Sequence, residues 1–250
     1  MIYDCFIMLN EIELLDLRLH ELYDAVDYFV IVEANKTFSY QDKPLHYQRH
    51  ADRWKSMWDK IIYVPITDMP HDLQRWKAEY HQRNAIMRGL NGAKDNDIIV
   101  ISDLDEIWDK NKFKTDGLPY TFRQLTCYGF LNTLHVGTIA LREGWYGSLV
   151  VIRNMIDLPQ NWRDRKNGES KVNGGWHFSY LGGREQIAYK LSSFAHQEYD
   201  TEHCKNGMAN FFYSYPTDII VLEKGDDRLP KYLNDNWERY KGKGFIYENA

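Results

Sequence analysis

The chain has 250 residues, 44% hydrophobic and 27% charged, enough for one large globular core. A net charge of −5 with no long basic run argues against a nucleic-acid partner held by phosphate neutralisation. Three scattered cysteines (Cys5, Cys127, Cys204), no signal-peptide pattern and no apolar run near the roughly 20 residues of a membrane span predict a soluble, cytoplasmic protein without disulfides.

Residues 2–9 read as a buried strand interrupted by Asp4. After Asn10-Glu11, Ile12, Leu15, Leu19 and Leu22 recur at helical spacing. Residues 26–32 form a second apolar strand that ends in Glu33-Ala34-Asn35. This β-α-β order predicts parallel strands with a right-handed crossover. Residues 34–58 are a polar, aromatic excursion with a short helix at 52–58, and 61–66 is a third strand. A helix is expected over 76–90, stopped by Asn91-Gly92. Trp76, Tyr80, Met87 and Leu90 share one stripe of it, with Arg83 in the middle. An arginine on an inward face needs an anion. Either its stem packs while the guanidinium reaches solvent, or it meets a nucleotide or the acidic cluster that follows.

That cluster ends the run Ile98-Ile99-Val100-Ile101-Ser102-Asp103-Leu104-Asp105-Glu106. A short apolar run between polar turns reads as a strand buried on both faces, and ligands of open α/β sheets gather at the carboxyl ends of such strands. In extended chain, Asp103 and Asp105 point the same way, with Leu104 turned back to the core. Two close carboxylates call for a cation between them. Hard oxygen ligands suit Mg2+ or Mn2+ shared with substrate phosphates. Taken alone, the pair reads more readily as a solvated acidic turn; its context reverses that.

Beyond Trp108 the pattern shortens. Segments 118–128, 130–135 and 147–153, separated by Gly129, Gly137 and Gly144, fit an antiparallel or mixed part of the sheet. Gly174-Gly175 and Gly182-Gly183 flank an aromatic strand containing His177 and permit close backbone approach to a ligand. A helix runs from Glu185 to about 194, followed by His196, Glu198 and Asp200. Residues 218–222 are a last strand before a polar, aromatic tail. No repeat or linker divides the chain. The expectation is a single domain over 1–250, with a nucleotide-binding half (1–107) and an acceptor-binding half (108–250).

Several blocks are similar to glycosyltransferase family 17: Tyr3-Asp4-Cys5-Phe6 with Asn10-Glu11, Val30-Ile31-Val32-Glu33 with Thr37-Phe38, and Lys43-Pro44-Leu45. Gln82-Arg83-Asn84, Ser102-Asp103-Leu104-Asp105-Glu106-Ile107, Gly174-Gly175-Trp176-His177-Phe178-Ser179 and Leu229-Pro230-Lys231-Tyr232 continue the likeness. Trp108 departs from it, standing where the family usually has proline. The resemblance implies a GT-A fold, a Rossmann-like α/β/α sandwich with a mixed central sheet. It implies an inverting transfer from a UDP-sugar, N-acetylglucosamine among the candidates, to a glycan acceptor. Asp105, with Asp103, would hold Mn2+ or Mg2+ against the diphosphate. Asp103, Leu104 and Arg83 would lie against the nucleotide, with Glu33 at its base or ribose. His177 and His196 become candidates for the diphosphate and the metal. Inversion needs a general base. Glu185, at a helix start after two glycines, is the first candidate, although the helix dipole alone would favour an acid there. Glu106 and Glu198 come next.

Two other readings stand beside this one. A haloacid-dehalogenase-type phosphatase would use Asp103 as nucleophile and Asp105 as acid, but it wants glycine and a small residue where Glu106-Ile107 stand, on the first strand of its core. A non-catalytic carbohydrate-binding protein would use the abundant Trp and Tyr and leave the acids without a purpose.

Overall fold

The structure is a computed structural model that describes residues 1–70, 75–136, 144–165, 169–207 and 218–248; Gly137, expected as a strand separator, lies outside them. Ten strands are present among the described residues. They are β1 (Ile2–Met8), β2 (Tyr28–Ala34), β3 (Ile61–Ile66), β4 (Ile98–Asp103), β5 (Glu106–Ile107), β6 (Tyr120–Tyr128), β7 (Thr133–His135), β8 (Trp145–Ile152), β9 (Ser170–Ser179) and β10 (Ile219–Val221). The helices are α1 (Ile12–Leu22), α2 (His46–His50), α3 (Arg75–Asn84), α4 (Ile86–Gly89), α5 (Pro159–Arg165), α6 (Gly183–Ser193), α7 (Lys231–Asp235) and α8 (Trp237–Gly242).

The first four strands are parallel, in the order β3-β2-β1-β4. The chain therefore steps from β1 out to β3 and returns to the other side of β1 to add β4. A crevice opens at such a reversal, outside the carboxyl ends of the strands. Alternation along the strands supplies two cores. Phe6, Phe29, Ile31 and Val100 pack with the leucines of α1 on one face, while Cys5, Val30, Ile99 and Ile101 pack with Ala78 and Ile86 on the other. Beyond β4, β8 and then β6 add antiparallel, β9 runs parallel to β6, and β5 pairs antiparallel with β9. The sheet is mixed and helices cover both faces, as a GT-A fold requires.

The structure departs from the sequence expectations in places. The helix over 76–90 is two helices broken at Ala85. The second lies flush on the sheet: a Cβ added at Gly89 would sit 2.4 Å from Val30 Cγ1. The expected inward stripe also divides, since Leu90 and Arg83 are buried while Trp76 and Tyr80 are exposed. The short helix at 52–58 is a 3-10 run, Ala51–Lys60, that buries Trp54. The polar tail contains α7 and α8, which bury Leu233, Trp237 and Tyr240 in the same core as α1. Among the described residues, no helix is long and apolar enough to cross a membrane.

Candidate active site

The acidic turn is held from beneath. At the end of β4 the chain turns through Leu104 and Asp105 into β5. Arg18, on α1 and fully buried, lies under that turn. Its Nε and Nη2 bind both oxygens of buried Asp4 at 2.8 and 2.6 Å. Nη1 donates to the carbonyl oxygens of Asp103, Leu104 and Glu106 at 2.9, 3.2 and 3.0 Å, and Nη2 donates to Ser102 Oγ at 2.6 Å. Trp108 Nε1 donates to Asp4 Oδ1 at 3.1 Å, which gives this departure from the family pattern a structural use. A buried charge survives only when paired and hydrogen-bonded, and here both conditions hold. The sequence reading missed Arg18. The available signal was a charge inside the apolar stripe of α1 opposite the acid that interrupts β1.

Above the turn, at the β1–β4 reversal, lies a cleft of about 770 Å³. Its floor includes Ile7 and Met8 from β1 and the segment 103–106. The chain leaves extended geometry after Asp103, so the two aspartates do not converge on one point but meet different cations. Asp103 Oδ1 pairs with Arg83 Nη2 at 2.8 Å and Oδ2 with Arg163 Nη2 at 2.9 Å. Asp105 Oδ2 pairs with Lys190 Nζ at 2.8 Å and stands 3.9 Å from His177 Nε2. Burial works to lower the Arg83, Arg163 and Lys190 pKa values, but the facing carboxylates outweigh it and hold all three above their ordinary range. Arg163 and Lys190 are further site residues that the sequence reading did not single out.

Of the residues expected at the site, Arg83, Asp103, Leu104, Asp105, His177 and His196 all line the cleft. His177 stacks on Trp145, ring centroids 4.4 Å apart. His196 comes from a different segment, where its Nδ1 is 2.6 Å from Glu198 Oε1 and its ring is edge-on to Trp76. Glu106 lines the cleft but is buried: it accepts from the Asp103 N–H at 2.9 Å, from Trp145 Nε1 and from Arg163. Glu33 and Glu185 are not brought to the cleft. Glu33 is fully buried, accepting from Lys43 Nζ and Tyr63 OH, both at 3.0 Å, and from the N–H groups of His46 and Tyr47. It anchors the excursion after β2. Glu185 is exposed on the first turn of α6.

The glycines also acquire another purpose. Gly175 has φ +100, and a Cβ there would lie 2.4 Å from the Ile107 carbonyl oxygen, so the close approach is to the backbone of β5. Gly182 and Gly183, at φ +88 and +77, turn the chain into α6 and so direct Lys190 at Asp105.

A divalent ion suits part of this donor set. Asp105 Oδ1 accepts no hydrogen bond among the described residues, and His177 adds a nitrogen nearby. One carboxylate with substrate phosphates is a common Mg2+ or Mn2+ arrangement. Asp103 fits less well, since both its oxygens are on arginines. No group of three His, Cys, Asp or Glu residues converges among the described residues.

A parallel β1–β4 half with a crevice at its reversal, joined to a mixed sheet between helices, is the architecture expected of a GT-A fold. The sequence belongs to glycosyltransferase family 17, whose model matches residues 1–206. It is similar to the β-1,4-mannosyl-glycoprotein 4-β-N-acetylglucosaminyltransferases of Rattus norvegicus and Homo sapiens. Each is 27% identical over 219 residues, covering 74% of this chain and 41% of the relative. The chain thus spans less than half the length of these relatives. Among solved structures, galactosyltransferase LgtC in complex with donor and acceptor sugar analogues is 12% identical with a TM-score of 0.37, covering 100% of this chain and 97% of that chain. So distant a likeness does not bear on the site. Family membership favours a glycosyltransferase over the phosphatase and non-catalytic readings.

Proposed function

We propose that this enzyme transfers a sugar from a UDP-sugar to a glycan hydroxyl with inversion, and that the donor diphosphate lies in the cleft over the acidic turn. The observation that carries this is the convergence of Arg83, Arg163 and Lys190 on that turn, at the reversal between β1 and β4. The names of the relatives make N-acetylglucosamine the first donor sugar to test and a β-mannosyl group the first acceptor. Asp105, with His177 beside it, would hold a divalent ion, which when bound would offset the charge gathering on the leaving diphosphate.

In the transfer, the acceptor oxygen bonds to the anomeric carbon as the bond to the diphosphate breaks, and the hydroxyl proton passes to a base. Glu11 is the carboxylate best suited to take it. Among those lining the cleft, Glu79, Asp103, Asp105 and Glu106 are committed to cations, and Asp164 accepts from the Gln160 amide. Glu11 Oε2 is fixed by the N–H groups of Leu9 and Asn10, at 3.1 and 3.0 Å, while Oε1 accepts no hydrogen bond among the described residues. A smaller cavity of about 260 Å³, with Phe178 and Leu181 among its walls, shares Glu11, Asp105 and Lys190 with the cleft and is our candidate for the acceptor sugar.

The test is a melting series with UDP-, GDP- and CMP-sugars, with and without Mn2+, followed by product analysis with β-mannosides. A UDP-sugar at about a hundredfold excess over its Kd should raise Tm by about 5–10 °C. Stabilisation by GDP- or CMP-sugars alone would overturn the UDP assignment, and no stabilisation by any of them would overturn the reading as a whole.

A further inference from the structure

The contact between Lys190 and Asp105 has a consequence for the order in which ligands enter. Lys190 Nζ sits 2.8 Å from Asp105 Oδ2, with the two side chains 26% and 13% exposed. The pair is a bridge between the large cleft and the smaller cavity, which both residues line. The groups facing the ammonium are few. Asp105 is the direct partner, Glu11 adds negative charge from the β1–α1 turn, and the Tyr180 ring centroid is 5.8 Å away. No backbone carbonyl and no second carboxylate oxygen accepts from Nζ among the described residues. Arg83 and Arg163 differ in this respect, since each is buried and fastened to further acceptors besides the aspartate. Lys190, on a flexible stem and held by a single partner, is the cation most easily moved.

A carboxylate that already neutralises an ammonium is a poor ligand for a divalent ion, because the two cations repel each other across it. If the ammonium is given another anion, that obstacle goes. Building on the reading of the cleft as a nucleotide-sugar site, we propose that Lys190 is a displaceable counter-ion of Asp105. In the ligand-free enzyme it holds the aspartate and keeps divalent ions weakly bound. When a nucleoside diphosphate arrives, the ammonium swings to the phosphates and frees Asp105 for the metal. Metal and donor then bind cooperatively, as two ligands that each favour the same position of one side chain.

The experiment is isothermal titration of Mn2+ alone, UDP alone and UDP in saturating Mn2+ into the wild type, Lys190→Met and Lys190→Arg. In the wild type, Mn2+ alone should bind weakly and UDP should tighten it at least tenfold. Lys190→Met should bind Mn2+ alone at least tenfold more tightly and UDP alone at least tenfold more weakly. Damage to the fold would weaken both, so the opposite signs are the signature. Lys190→Arg keeps the charge, and should retain UDP affinity within a few-fold without gaining Mn2+ affinity. An unchanged or lower Mn2+ affinity in Lys190→Met, with UDP still bound by the wild type, overturns the proposal alone. Failure of UDP to bind the wild type in either condition overturns the donor reading and the proposal with it.

Discussion

The acidic turn is gripped by two sets of cations that differ in kind. Beneath it, Arg18 is fully buried, bonded to Asp4, Ser102 and three carbonyl oxygens, and lines neither cavity. Above it, Arg83, Arg163 and Lys190 hold the carboxylates themselves and face the cleft. The lower set fixes where the backbone of the turn lies, while the upper set neutralises charge where a ligand can replace one partner with another. Charged residues around one loop can thus serve shape or chemistry, and bonds to the loop's own backbone carbonyls mark the first kind. Breaking one set should cost stability, and breaking the other should alter ligand binding.

The largest effect is expected from Arg18→Leu. It leaves Asp4 buried without its cation, a change worth about 3–5 kcal/mol, and strips the carbonyls of the turn of their donor. Denaturant melts should show that loss. Adding Asp4→Leu should recover only part of it, because the carbonyls and Trp108 Nε1 still lack partners. The Lys190→Met variant, which breaks a partly exposed pair, should lose no more than about 1 kcal/mol in the same melts. Equal losses in the two would abolish the distinction.

Next comes Glu11→Gln, on the cleft side. The amide oxygen can still accept from Leu9 and Asn10, so the turn keeps its shape, but no base faces the acceptor. Transfer should fall by about 10² to 10⁴, with UDP affinity unchanged and melting close to wild type. A rate within a few-fold of wild type would remove Glu11 from the reaction.

Much of the fold was legible because it rests on local patterns. Continuous apolar runs marked β1 to β4, and the leucine spacing marked α1. The position of Asp103 and Asp105 at a strand end pointed to the crevice. Arg83 meeting the acidic cluster was one of the alternatives its helical position raised. What escaped was whatever depends on distant pairing. Nothing near Glu33 in sequence shows that Lys43, Tyr63 and the turn into α2 will enclose it. Nor does anything near Lys190 show that Gly182 and Gly183 will aim it at a residue 85 positions earlier. The helix break at Ala85 likewise accompanies close packing of Gly89 on β2, a contact that helical periodicity does not encode.

The smallest effect, and the sharpest contrast with Glu11, is expected at Glu185. Both are acids at helix starts, and a sequence pattern ranks them alike. The structure separates them by surroundings. Glu11 lines both cavities beside Lys190, whereas Glu185 lines neither and is exposed on α6. A base must come within hydrogen-bond reach of the proton it takes, directly or through one water, and Glu185 is not among the residues that face either space. Its remaining contribution is to the helix dipole, about 0.3–1 kcal/mol at the surface. Glu185→Gln should therefore transfer within about twofold of wild type, with its pH profile intact, and lose at most that small amount of stability. A hundredfold loss of transfer with donor affinity retained would make Glu185 the base, displace Glu11, and mean that α6 moves toward the acceptor during catalysis.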